Sequence, residues 1–244
     1  MRPPSVARRV RLLFAGVPQH LIQRGNNRQV TFFADEDYRS YLDWLYEAVK
    51  KYDCRIYAYV LMTNHVHLLA SAERPYDLSY MMQHLGRRFV RYVNHVYRRS
   101  GTLWEGRFKA SLVDTEAYFL RCSRYIECNP VRARMVMHPG DYRWSSYRAH
   151  ALGAPDKLVS SHEQYERLGQ DAAERQGAYR ELCRSELDPK EIGEIRDTVN
   201  QGWPLGSERF KDEIERALQR AARPPKRGRP TKRCGETASN QLIV

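Results

Sequence analysis

The sequence contains no Cys-x-x-Cys pair. Its five cysteines, Cys54, Cys122, Cys128, Cys183 and Cys234, are odd in number and scattered. That spacing argues against a zinc ribbon. In a chain of 244 residues it also argues against a disulfide framework, so a reducing cytosol is the expected setting. The arginine-bearing N-terminus lacks an apolar stretch of signal-peptide length, and no run approaches the length of a membrane span. No internal repeat is apparent, and acidic residues are in deficit: 41 Lys and Arg stand against 29 Asp and Glu, a net charge of +12. The pI is about 9.6. The deficit is sharpest at the start, where residues 1–34 carry six arginines and no acid. Such a balance points to a polyanionic partner, nucleic acid ahead of a membrane surface.

The remaining pattern is that of an α+β domain. "VPQHLIQRG" alternates as a strand and ends in a turn at "RGNN". Asp35 is placed to cap an amphipathic helix with Tyr38, Leu42, Leu45 and Val49 on one side. "CRIYAYVLM" and "HVHLLA" read as strands joined by a tight break at Thr63-Asn64. Residues 77–99 place Leu78, Met81, Met82, Leu85, Phe89, Val93 and Val96 at helical spacing. "ASLVD" is a short strand, after which Asp114 or Thr115 caps a helix over 115–129 that Pro130 stops. This is the ferredoxin-like, or RRM-like, order, predicting an antiparallel sheet with helices on one face. Residues 1–153 form this domain, residues 154–222 a helical C-terminal extension, and residues 223–244 a basic, disordered tail. Within the tail, "RPPKRGRPTKR" has six basic residues, three prolines and no acid.

The chemistry-bearing stretch is "LMTNHVHLLA". On a strand, residues i and i+2 share a face, so His65 and His67 present both imidazoles together. Two satisfied histidines are the plain alternative. Neutral imidazole is a common metal ligand, and an open site with an oxygen ligand suits Mg²⁺ or Mn²⁺. On the helix 115–129, Tyr118, Cys122, Tyr125 and Asn129 share a face. Tyr125 lies in its last turn, with the amide oxygen of Asn129 one turn beyond. A core tyrosine and a helix-capping asparagine remain the plain alternative here too. "RRFVRYVNHVYRRSGTLWEGRFK" carries seven basic residues and one acid, interleaved with aromatics. That composition suits a backbone with unstacked bases, although Trp104 reads as packed core.

These residues resemble a family. "LMTNHVHLLA" is similar to the histidine-hydrophobic-histidine motif of the single-tyrosine HUH endonucleases. "RSGTLWEGRFKASLVDTEAYFLRCSRYIECNPVRARMV" and "YRWSSYRAH" resemble the REP-associated tyrosine transposases, relatives of the single-strand transposases of insertion sequences. The resemblance spans residues 8–150. Thr63 departs from it, standing at a turn position where the family usually has proline.

The resemblance implies a site-specific single-stranded DNA endonuclease and strand transferase. Tyr125 would be its nucleophile, His65 and His67 metal ligands, Asn129 the third ligand, and Mg²⁺ or Mn²⁺ the metal. Its substrates would be REP-type DNA hairpins with unpaired bases at the foot, cut through a 5′-phosphotyrosine. Relaxases place the tyrosine before the histidines, and replication initiators have a lysine where Cys128 stands, so both sibling classes fit less well. Expected DNA contacts are Arg9, Arg24, Asn26 and Arg28 near the first strand, and Arg87, Arg88, Arg91, Arg107 and Lys109 in the basic stretch. Arg121 and Arg124 beside the tyrosine complete the set with Arg227 and Arg229 in the tail, whose "KRGRP" is similar to an AT-hook. A monomer in the cytoplasm, associated with the nucleoid, is expected.

Two other classes compete. A non-catalytic RNA- or DNA-hairpin module with an RRM-like fold lacks the RNP1-type aromatic signature here. A zinc hydrolase would need a third strong ligand and a carboxylate base near the histidines.

Overall fold

In the computed structural model, residues 10–224 are described. Strands β1 (Gln19–Arg24), β2 (Cys54–Met62), β3 (His65–Ala72) and β4 (Lys109–Leu112) form one sheet in the order β2-β3-β1-β4. All three pairings are antiparallel. β1, helix α1 (Asp35–Lys51) and β2 make a split βαβ unit into whose middle β3 inserts. The ferredoxin-like expectation is borne out.

Local chemistry explains the elements. Asp35, Glu36 and Asp37 open α1 and Lys50 and Lys51 close it, matching the helix dipole at both ends. Asp35 is the first helical residue rather than the cap. The capping is done by Asp37, whose carboxylate accepts from the backbone of Phe33 at 2.7 Å and Ala34 at 3.0 Å. Helix α2 (Asp77–Val96) buries Leu78, Met81, Met82, Leu85, Phe89 and Val93, as its spacing predicts. Val96, expected in the same stripe, is exposed because it ends the helix past the sheet. Trp104 is packed, with its ring 5.9 Å from that of Phe89. Fully burying a side chain such as Phe89 stabilises by about 1.5–3 kcal/mol.

One expectation is corrected. The helices do not lie on a single face. α1 and α2 cover one side of the sheet, packing on Leu21, Leu61, Val66 and Leu68. Helix α3 (Phe119–Glu127) covers the other, with Phe119, Cys122 and Ile126 against Val60 and Leu69. Strand alternation alone does not assign a helix to a face when both faces carry apolar residues. α3 also begins a turn later than expected. Pro130 does not stop the chain's helical course, because it sits in the first turn of the short helix α4 (Asn129–Arg132), where its missing N–H costs nothing.

The rest is mostly helical, and most of it docks on the same face as α3. Helices α5 (Tyr147–Leu152), α6 (Glu163–Glu166) and α7 (Ala172–Arg184) join around Tyr147, Ala151 and Tyr179. Helix α8 (Pro189–Gln201) lies against β4 and β1, and Leu205 bonds along Leu112 at 2.8 Å. Helix α9 (Glu208–Leu218) closes the described chain, where Arg223 pairs with Glu208, Asp212 and Glu215. Arg223, read as the first residue of the tail, is therefore part of the fold. Among the described residues, no helix is long and apolar enough to cross a membrane.

Candidate functional site

β3 is an interior strand, and its period of two separates its side chains. Val66 and Leu68 enter the core beneath α1 and α2, while His65, His67 and Leu69 face α3. The register pairs Arg24 with His65, Ile22 with His67 and His20 with Leu69. His20 and Arg24 of β1 thus join the histidines on one face. His67 and His20 are each 1% exposed, and His65 lies at the margin, half-buried. The rings of His65 and His67 are 5.0 Å apart between centroids.

Each histidine of β3 is held by its Nδ1. Asn64 Oδ1 accepts from His65 Nδ1 at 2.6 Å, which leaves a lone pair on His65 Nε2. His67 Nδ1 lies 2.8 Å from His20 Nε2. With His67 as the donor, the His67 Nε2 lone pair is free and the proton of His20 sits on its Nδ1. That atom is buried without a protein partner. Burial keeps all three rings neutral. It pushes His65 down to about 4, aided by Arg24, and His20 down to about 3, aided by Arg132. His67 is driven well below the usual range by burial first, then by its two histidine neighbours.

Tyr125 is 4% exposed and meets this face edge-on. Its ring centroid is 5.7 Å from that of His20 and 5.9 Å from that of His67. The Arg132 guanidinium lies over the Tyr125 ring, 4.3 Å from its centroid, and also donates to the Tyr125 carbonyl. Burial lowers the pKa of Arg132, and Tyr125 partly offsets that. A cation, a phenol and three neutral imidazoles are therefore gathered at one spot. Tyr118, on the same helical side by spacing, instead turns toward Glu194 of α8.

The donor set fits an open metal site. Among the described residues, no group of three or more His, Cys, Asp or Glu is placed to hold a metal ion, so no closed zinc centre is available. His65 and His67 offer two neutral nitrogen ligands. Asn129 opens α4 half-buried, and among the described residues its side chain makes no hydrogen bond. His20 behind His67 occupies the place of an orienting partner of the kind that fixes a ligand's tautomer.

The expected DNA contacts fall into five groups. Arg24 reaches the site, since its charge acts on His65, and it shares a groove with Arg107 and Lys109. Asn26 and Arg28 form a tight turn beside it, where Gly25 N bonds Asn64 O at 2.8 Å and Asn64 Nδ2 bonds Arg28 O at 2.9 Å. Gly25 is obligatory there, because an added Cβ would stand 2.3 Å from Gln29 O. Arg87 and Arg91 are exposed on α2, on the opposite side of the sheet, while neighbouring Arg88 pairs with Glu47. Arg121 and Arg124 are engaged away from Tyr125. Arg121 pairs with Glu191 at 3.3 Å, and Arg124 bonds Ser185 O at 2.7 Å. Arg9, Arg227 and Arg229 lie outside the described residues.

The cation at Tyr125 is thus Arg132 rather than the flanking arginines. Arg132 and His20 are the residues that reading the sequence missed. Two helical turns separate Tyr125 from Arg132, which was a usable signal. His20 depends on strand register, for which a single sequence carries none.

The family model for IS200-like transposases matches residues 15–129. The resemblance to REP-associated tyrosine transposases is borne out in the fold. A REP-associated tyrosine transposase solved bound to a REP hairpin superimposes with a TM-score of 0.53 at 17% identity, over 64% of this chain and 93% of that one. A second structure, of a protein from Deinococcus radiodurans R1 described as a transposase, matches at 22% identity over 49% of this chain and 95% of that one, with a TM-score of 0.35. No curated protein matches the chain.

Proposed function

We propose that the protein is a metal-dependent endonuclease and strand transferase for single-stranded DNA at hairpins, with Tyr125 as its nucleophile. The observation that carries this reading is the meeting of Tyr125, His67, His20 and Arg132 on one sheet face. The relative solved with a REP hairpin supports hairpin DNA as the substrate class.

In the reaction, Tyr125 Oη attacks the scissile phosphorus. The Tyr–O–P bond forms as the P–O3′ bond breaks. The phenol gives up a proton and the departing 3′-oxygen gains one, so the exchange is proton-neutral. The phosphodiester count is conserved, and a second 3′-hydroxyl reverses the step without ATP. A Mg²⁺ or Mn²⁺ held by His65, His67 and Asn129 would polarise a phosphoryl oxygen. Arg132 faces the phenol and balances its developing negative charge, which a free tyrosine of pKa about 10 needs near neutral pH. Arg24 and Lys109 line the approach and meet backbone phosphates.

The test is a hairpin oligonucleotide labelled 3′ of the cut, incubated with Mg²⁺ or Mn²⁺ and run on a denaturing protein gel. Tyr125→Phe should bind DNA yet form no covalent adduct, whereas Tyr118→Phe should form it. An adduct that persists in Tyr125→Phe overturns the assignment.

A further inference from the structure

The sheet carries a cavity on the side away from Tyr125. There, α2, β1 and the segment before β4 enclose a cavity of about 780 Å³. Two polar side chains line it that are more than nine-tenths buried and incompletely satisfied: Gln23, 7% exposed, and Trp104, 6% exposed. Gln23 Oε1 and Trp104 Nε1 have no hydrogen-bond partner. Buried polar atoms are almost always paired, so an unpaired acceptor and donor in one cavity mark a place completed from outside.

Gly86 of α2 forms the wall beside them. A Cβ built there would lie 3.6 Å from Gln23 Nε2 and 3.8 Å from Trp104 Nε1. An alanine methyl there would sit in ordinary van der Waals contact with both groups, inside a helix where glycine is otherwise unfavourable. Arg87 and Arg91 stand at the rim, exposed and, among the described residues, without an ion pair.

We infer that this cavity receives one unpaired base of the DNA strand, its edge read by Gln23 and Trp104 and its backbone held by Arg87 and Arg91. The inference rests on the DNA reading above and locates where unpaired sequence is recognised. A glutamine amide presents one donor and one acceptor side by side, the complement of adenine N7 and N6. The indole N–H adds a donor to a further ring nitrogen. The route is continuous. Arg107 lines both this cavity and the groove of Arg24 and Lys109 on the Tyr125 side. A strand can pass from one to the other over residues 105–107.

Fluorescence anisotropy on the full chain, in EDTA, tests this with four single-stranded homo-oligonucleotides of dA, dC, dG and dT and one blunt-ended hairpin. The wild type should bind dA tightest. Gln23→Leu and Gly86→Ala should each weaken dA binding about tenfold, the scale of a single bidentate base pairing, and more than they weaken the other strands or the blunt hairpin. Gly86→Ala removes no recognition group and should raise helix stability, so its melting temperature separates blocking from misfolding. Variants that bind all four strands as the wild type does, or that weaken equally on every probe, overturn the pocket. Adduct formation through Tyr125 is scored separately. Failure of the wild type to form the adduct would sink the cleavage reading while leaving the base preference to stand.

Discussion

Glu127 lies two residues beyond Tyr125 and is completely buried. Its Oε1 accepts from Ser146 Oγ and from His150 Nδ1 at 2.8 Å, and its Oε2 accepts from Tyr179 Oη at 2.7 Å. The carboxylate thereby ties α3, which carries the tyrosine, to α5 and α7. Tyr179→Phe removes one of these bonds and nothing else, since the ring stays packed 5.2 Å from His150 and 5.8 Å from Tyr165 between centroids. A hydrogen bond to a charged acceptor contributes about 1.5–3 kcal/mol, so the loss should be about 2 kcal/mol. For a chain of this size that lowers Tm by about 4–8 °C. Tyr165→Phe is the comparison, because its hydroxyl donates at 2.8 Å to the neutral carbonyl of His150. It should cost about half as much. Glu127→Ala removes the shared acceptor of three buried donors and should cost about 3–5 kcal/mol. Differential scanning calorimetry at neutral pH measures all three. A Tyr179→Phe melting temperature within about 1 °C of the wild type, or one above that of Tyr165→Phe, would refute the reasoning.

His65→Ala and His67→Ala should each abolish cleavage and weaken Mn²⁺ binding, read by electron paramagnetic resonance, while hairpin affinity holds because backbone contacts supply most of it. Cleavage by the double variant, or in excess EDTA, sinks the metal assignment. In chelator, stability should fall as pH drops from about 6.5 toward 4. Burial depresses His65 to about 4 and His20 to about 3, so the unfolded chain binds their protons first; the contribution is complete above about 6.5 and is lost below it. The ceiling is about 1.4 kcal/mol per pH unit for each histidine, and urea midpoints that stay flat across that window contradict it. Deleting residues 225–244 keeps the ion pairs of Arg223 and should leave Tm unchanged. It also removes Lys226, Arg227, Arg229, Lys232 and Arg233, so DNA binding should weaken and its salt slope flatten, by about 0.9 for each phosphate no longer neutralised. A collapsed Tm would show that the segment belongs to the fold.

Much of this was legible because it is periodic. A period of two placed His65 and His67 on one face, and a period near 3.6 gave α2 its buried stripe and offered Tyr118 and Tyr125 as rivals. Periodicity names a face but not what lies opposite. So the side of the sheet taken by α3, the turn of Tyr118 toward α8 and the engagement of Arg121 and Arg124 by the extension were out of reach. The last two depend on residues 185–205 folding back over β4, a packing of high sequence separation. His20 was hidden for a related reason. Its bond to His67 spans 47 positions and exists only in one strand register.

β1 shows what that register accomplishes. Its even positions, His20 and Arg24, face the histidines and α3, while its odd position Gln23 faces the cavity under α2. One strand of six residues thus serves the chemistry on one side and base recognition on the other. Both depend on pairing to β3 and β4 at once, which fixes β1 from its two edges. A one-residue slip would send Gln23 among the imidazoles and His20 into the opposite core, exchanging the two faces together. Insertions in β1 should therefore destroy cleavage and base preference in step, whereas point changes at His20 or Gln23 should separate them.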